Sequence, residues 1–202
     1  MPEHPHVLLA TLGGQPQVVT FTLDLLLDKD LPISEVVVIH PKLSHLRLQN
    51  SFACLTKEFA SDYYKEAARS ISFHSHVLEM DGIAIDDIVD DPHADGTLDT
   101  IHQLIGDFKR RGYHIHLSVT GGRRLMSLLA ISVAALNFDR YDHIWHLYTP
   151  DTIKEQAKEG RLMHVPLDSG IQLIQGQFIS LGAYIYNQSQ SFRTTQEEQR
   201  SQ

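Results

Sequence analysis

Two hydrophobic rhythms alternate along this chain. Short apolar runs of strand length, HVLLATL (6–12) and EVVVIH (35–40), are followed by stretches in which apolar residues recur every three or four positions. Val18, Val19, Leu23, Leu26 and Leu27 form such a stripe and predict a helix from Pro16 to Leu27. KLSHLRLQNSFACLTKEFASDYY predicts a long helix, and ISFHSHVLEM (71–80) a third strand. TLDTIHQLIGDFKRRG predicts a helix whose basic last turn and glycine stop suit the helix dipole. A fourth strand is expected at YHIHLSVT (113–120), then an apolar helix at RRLMSLLAISVAALNF and a fifth strand at HIWHLY (143–148). The acidic DGIAIDDIVDDPHADG (81–96), broken by Pro92 and glycines, reads as a loop with one short helical turn.

Strands apolar on both faces and separated by helices predict an α/β fold. The expected architecture over residues 1–150 is a Rossmann-like, mostly parallel sheet with helices on both faces, in strand order 3-2-1-4-5. After Pro150 the texture changes. A charged helix or loop is expected at 151–160, then two short strands, RLMHVPL and IQLIQGQFISL, pairing as a hairpin. This gives a short C-terminal β appendage at 151–186, and the polar 187–202 is expected to be a disordered tail.

Composition narrows the function classes. The chain has 202 residues, enough to bury a core without staples. Its single cysteine, Cys54, allows no internal disulfide and, within an apolar helical pattern, is expected in the core. A net charge of -8 argues against broad binding to long nucleic acid. No apolar run is long enough to span a bilayer, and MPEHPH lacks the basic start of a signal peptide, so a cytoplasmic protein is expected.

The chemistry concentrates at two corners, LATLGGQPQVVT and SVTGGRRLMSLL. Each follows a strand and opens a helix, where glycine lets the backbone turn or approach a ligand and free N–H groups favour an anion. In the expected strand order both corners face one crevice, at the point where the order reverses. Neither matches a dinucleotide fingerprint or a P-loop, so no cofactor is expected. Arg123 and Arg124 place positive charge at a helix start, where the dipole disfavours it unless an anion compensates. Thr11, Gln15, Ser118 and Thr120 offer hydrogen bonds to phosphate, ribose or base. On these residues alone, an enzyme of nucleotides or sugar phosphates remains an open reading.

TGGRRLM (120–126) and GGQPQVVTFTLDLL (13–26) resemble the corners of CARF domains, the CRISPR-associated Rossmann-fold proteins of type III systems that sense cyclic oligoadenylate. The likeness covers about residues 5–150, and EGRLMHVPL is similar to the tail of small stand-alone members. It implies a homodimer whose two-fold axis passes through the ligand site. It also implies a metal-independent ring nuclease that yields linear products with 2′,3′-cyclic phosphate. Tetra-adenylate is the favoured ring and hexa-adenylate the other. The resemblance assigns Arg124, Arg123 and Thr11 as catalytic. It assigns Gly13, Gly14, Gln15, Pro16, Ser118, Thr120, Gly121 and Gly122 as ligand-binding. Arg124 and Gln15 stand where the family has lysine and serine, which weakens cleavage more than binding and keeps a non-catalytic sensor as the alternative.

The 13 histidines prompt a metal reading at HSH, HIH and HIWH, but alternation places only pairs on each strand face, so no metal is expected. His146 and His164 are the candidates for an acid or base. Met126, Trp145 and Tyr148 are expected in the core.

Overall fold

The computed structural model describes residues 4–61, 63–66 and 71–177. Its centre is a six-stranded sheet. The strands are β1 (His6–Thr11), β2 (Ile33–His40), β3 (Ser72–Val77), β6 (His114–Ser118), β7 (His143–Tyr148) and β8 (Gln172–Gly176). Their order is β3-β2-β1-β6-β7-β8, with β8 antiparallel to β7 and the other pairings parallel. The five parallel strands thus take the expected order. A small hairpin of β4 (Glu79–Met80) and β5 (Ile83–Ala84) follows β3.

Period-two alternation sorts the core into two layers. Val7, Leu9, Ile115 and Leu117 pack against α4 (Asp91–Arg110) and α5 (Arg124–Asn137). Leu8, Ala10, Val36 and Val38 pack on the other face against α1 (Gln17–Leu27) and α2 (Leu46–Ala60). Met126 and Trp145 are buried as expected, whereas Tyr148 is half exposed and Cys54 lines a cavity rather than the core.

Three expectations change. The long second helix breaks at Ser61, where the backbone turns extended, and a short α3 (Tyr63–Glu66) follows. The stretch 81–96 is a loop only in part: β5 takes Ile83–Ala84, 85–90 is irregular, and α4 begins at Asp91, because Asp90 caps it by accepting the His93 N–H and Pro92 sits in the first turn, where no N–H is needed. Gly96, a poor helix former, lies buried in α4 where an added Cβ would meet Glu79 O and Met80 Cβ at 2.8 Å. The C-terminal region also differs from a hairpin. Residues 161–167 form no strand; Thr20 donates to Met163 O and Asp24 accepts the Val165 N–H, tying the segment to α1. β8 instead extends the main sheet, after α6 (Asp151–Ala157). The polar tail lies outside the described residues. Among those described, no helix is long and apolar enough to cross a membrane.

At the end of the sheet away from the glycine corners, three histidines of β1 and β6 and a tryptophan of β7 form a hydrogen-bonded chain. Trp145 Nε1 donates to His116 Nδ1 at 3.0 Å, His116 Nε2 meets His6 Nδ1 at 2.9 Å, and His6 Nε2 meets His114 Nδ1 at 3.2 Å. An indole N–H can only donate, so each successive ring must be neutral and donate from Nε2. A proton added anywhere sets two donors face to face. Burial, then the neighbouring histidines, push His116 down to about 3 and His6 to about 4. Because the unfolded chain binds protons near 6.5, this contribution to stability is complete above that pH and is lost as pH falls through 6 toward 4. Urea unfolding at pH 7, 6 and 5 should show stability falling, gently from pH 7 to 6 and then by up to about 1.4 kcal/mol per pH unit from 6 to 5, for each histidine held neutral. A flat profile would refute the neutral histidine chain.

Candidate functional site

The chain leaves β1 toward one edge of the sheet and β6 toward the other, so the switch point lies between these paired strands. Both glycine corners sit there, and they pack on each other. Thr11 is buried, and its hydroxyl donates to Gly121 O at 2.7 Å. A Cβ on Gly13 would lie 2.8 Å from Gly122 N, and one on Gly121 would collide with the Thr11 carbonyl. Gly122 has φ +76°, a conformation few side chains tolerate. The glycines are therefore needed first for the mutual approach of the corners.

That approach leaves two helix starts side by side. Pro16 precedes α1 and Arg123 precedes α5, and neither helix has a side-chain cap. Their first N–H groups can hydrogen-bond an anion. A crevice of about 350 Å³ opens beside them, lined by Leu12, Gly13, Gly14, Pro41, His45, Arg47, Leu48, Asp86, Gly122 and Arg123.

The expected residues fall into distinct places. Gly13, Gly14, Gly122 and Arg123 line the crevice. Arg124, the first residue of α5, is exposed and makes no ion pair among the described residues. Arg123 donates to Asp87 Oδ2 at 2.6 Å, so the acidic stretch faces the site and already partners one arginine. Ser118 is buried beneath the corner, 3.4 Å from the Thr22 hydroxyl. Thr120 Oγ1 accepts the Leu147 N–H at 2.7 Å and lies 3.5 Å from Nδ1 of exposed His146. Gln15 Oε1 accepts from Gln17 Nε2 and from the Glu159 N–H, at 2.7 and 3.1 Å, which ties residue 159 to the corner. Pro16 is buried.

His164 stands apart from the corners, on the flank of α1 and α2. Its ring bonds Asp24 Oδ2 at 3.2 Å and Glu58 Oε1 at 3.0 Å and stacks on Tyr63. Burial opposes its charge, but the bonds to both carboxylates outweigh it and raise its pKa. This arrangement anchors the C-terminal segment. Arg47, in the first turn of α2, is the cation the sequence reading missed. The signal was available: it too is an arginine at a helix start, where the dipole disfavours it.

The family model of CRISPR-associated protein NE0113 matches residues 15–202, nearly the whole chain. The chain belongs to this CRISPR-associated family. Its mostly parallel sheet flanked by helices is consistent with the Rossmann-like fold of CARF domains, and the CRISPR association agrees with the resemblance at the two corners. Among solved structures, Csm6 of Enterococcus italicus, bound to cyclic hexa-2′-fluoro-hexa-dAMP, has the same fold. The TM-score is 0.57 at 13% identity, over 98% of this chain and 48% of that one. VC1899 from Vibrio cholerae is similar at 16% identity and TM-score 0.43, over 70% of this chain and 30% of that one. Can2 from Sulfobacillus thermosulfidooxidans, in complex with cyclic tetra-adenylate, matches at 13% identity and TM-score 0.39, over 69% and 31%. The chain thus spans about half or less of each of these proteins. No curated protein matches its sequence.

Proposed function

We propose that this CARF-type chain binds cyclic oligoadenylate at the paired glycine corners of a homodimer and opens the ring without a metal. The observation that carries the reading is the convergence of two uncapped helix starts, with Arg123 and Arg124 beside them, at the switch point of the sheet. The cyclic hexanucleotide analogue held by Csm6, which shares the fold, supports this ligand class. Tetra-adenylate and hexa-adenylate are the two rings to test.

In the proposed reaction a ribose 2′-oxygen attacks the adjacent phosphorus and the bond from phosphorus to O5′ breaks. The 2′-hydroxyl loses its proton, the leaving 5′-oxygen gains one, and the product ends in a 2′,3′-cyclic phosphate. Gly13, Gly14, Gly121 and Gly122 let the phosphate approach the backbone, and Arg124 balances the charge that builds on it. Arg123 serves the same anion once it exchanges Asp87 for phosphate. Thr11 acts as a positioning residue through its bond to Gly121 O.

The dimer reading has support on α5. Leu125, Leu128 and Leu136 are 41%, 61% and 59% exposed and share one helix face that begins beside Arg124. An isologous contact along this stripe would set two copies of the corner next to each other. Leu128→Arg should leave the fold intact, convert the dimer to monomer in sedimentation, and weaken ring binding about tenfold. A dimeric L128R variant would place the contact elsewhere.

A sensor without cleavage is the second reading. It is favoured by the commitment of the Thr11 hydroxyl to Gly121 and of Arg123 to Asp87. Incubation with cyclic tetra- and hexa-adenylate in EDTA, followed by mass spectrometry, separates the readings. Linear products ending in 2′,3′-cyclic phosphate establish the ring nuclease; intact ring that co-migrates with the protein establishes the sensor. Absence of both cleavage and binding would assign the crevice to a different phosphate ligand.

A further inference from the structure

A second cavity, of about 700 Å³, adjoins the crevice and shares Gly14 and Arg47 with it. One face of α2 lines it, through Arg47, Asn50, Ser51, Cys54 and Lys57. Their spacing of three and four residues puts them on a single stripe. Arg47 rests directly on the first glycine corner: a Cβ on Gly14 would lie 2.6 Å from Arg47 Cγ and Cδ. The bare backbone at Gly14 is what lets this side chain cross the corner.

Two further observations point to a ligand. Ser51 is 2% exposed, and its Oγ has no hydrogen-bond partner although it belongs to the cavity wall. A buried hydroxyl left unpaired is costly, and an acceptor oxygen on a ligand would satisfy it. Arg47 and Lys57 make no ion pair among the described residues, while Glu159 brings one carboxylate to the rim. The guanidinium and ammonium are pure donors, and Asn50 and Ser51 can donate as well. Such a set fits an acceptor-rich anion, and the guanidinium fork matches phosphate oxygens.

We propose that Arg47, Asn50, Ser51 and Lys57 form a second anionic subsite that takes the phosphate and ribose of a neighbouring nucleotide of the bound ring. The subsite rests on the proposed ring-binding function and extends it along α2. Arg47 joins the two subsites, since it lines both cavities. A free nucleotide offers the same chemistry, so the test separates it from the ring.

The experiment titrates full-length protein with cyclic tetra- and hexa-adenylate, and separately with AMP, over a range of salt concentrations. Wild type is compared with Arg47→Ala and Ser51→Ala. Arg47→Ala should weaken ring binding about tenfold and make the slope of log affinity against log salt shallower by about 0.7, the loss of one phosphate contact. Ser51→Ala should weaken ring binding about fivefold with no drop in melting temperature, because it removes an unpaired hydroxyl rather than a packed group. Ring affinity and salt slope unchanged in both variants would overturn the subsite while leaving ring binding at the corners standing. Loss of AMP affinity alone, with ring affinity unchanged, would also overturn it and assign the cavity to a mononucleotide. A wild-type protein that binds neither ring would overturn the functional reading and the subsite with it.

Discussion

Arg124→Ala is expected to slow ring opening about a hundredfold, the usual effect of removing one charged donor from a transition state. The argument starts from its position. Arg124 opens α5, has no side-chain cap above it and pairs with no carboxylate among the described residues, whereas Arg123 beside it is held by Asp87. Its charge is thus uncompensated in the free protein and available to a phosphate that gains charge during attack. Ring affinity should fall less than the rate, about tenfold, because the ground-state phosphate also meets the N–H groups of both helix starts. Arg124→Lys keeps the charge and loses the fork, so it should fall between wild type and alanine. Single-turnover cleavage followed by chromatography reads the rate, and equilibrium titration reads the affinity. Wild-type rates in the alanine variant would remove Arg124 from the chemistry.

The second large effect is expected at Gly121. An added methyl there would drive into the carbonyl oxygen of Thr11, which is backbone and cannot swing aside. Relief requires β1 and β6 to separate at their carboxyl ends, breaking the bond from the Thr11 hydroxyl to Gly121 O. Gly121→Ala should therefore cost about 3 kcal/mol of stability, the upper range for overpacking, and abolish ring binding in the fraction that still folds. Denaturant unfolding gives the first figure and titration the second. Thr11→Val is the companion variant: it keeps the volume, loses only the hydroxyl, and should cost about 1 kcal/mol. A Gly121→Ala protein with native stability and native affinity would show that the corners do not need their close approach.

Much of the architecture was legible because it depends on local period. Runs such as EVVVIH are apolar on both faces and belong in the middle of a sheet covered on both sides, where β2 lies. The two glycine corners were legible for a similar reason: each is a strand, a turn and a helix in sequence. The departures divide between local capping chemistry and partners distant along the chain. Asp90 was legible as a cap only with Pro92 accepted inside the first turn of α4. β8 looks like half of a hairpin until its pairing with β7 is known.

By itself, then, the sequence determined the alternation of strands and helices, the parallel centre of the sheet and the two glycine corners, since period and turn chemistry act within a few residues. Only the tertiary structure decided what those corners touch. It set Gly13 against the Gly122 backbone and Gly121 against the Thr11 carbonyl, gave Arg123 to Asp87, laid Arg47 across Gly14 and joined His6, His114 and His116 into one neutral chain. These contacts follow from strand order and register, which bring residues from tens of positions to 110 positions apart into contact and leave no periodic trace in the chain.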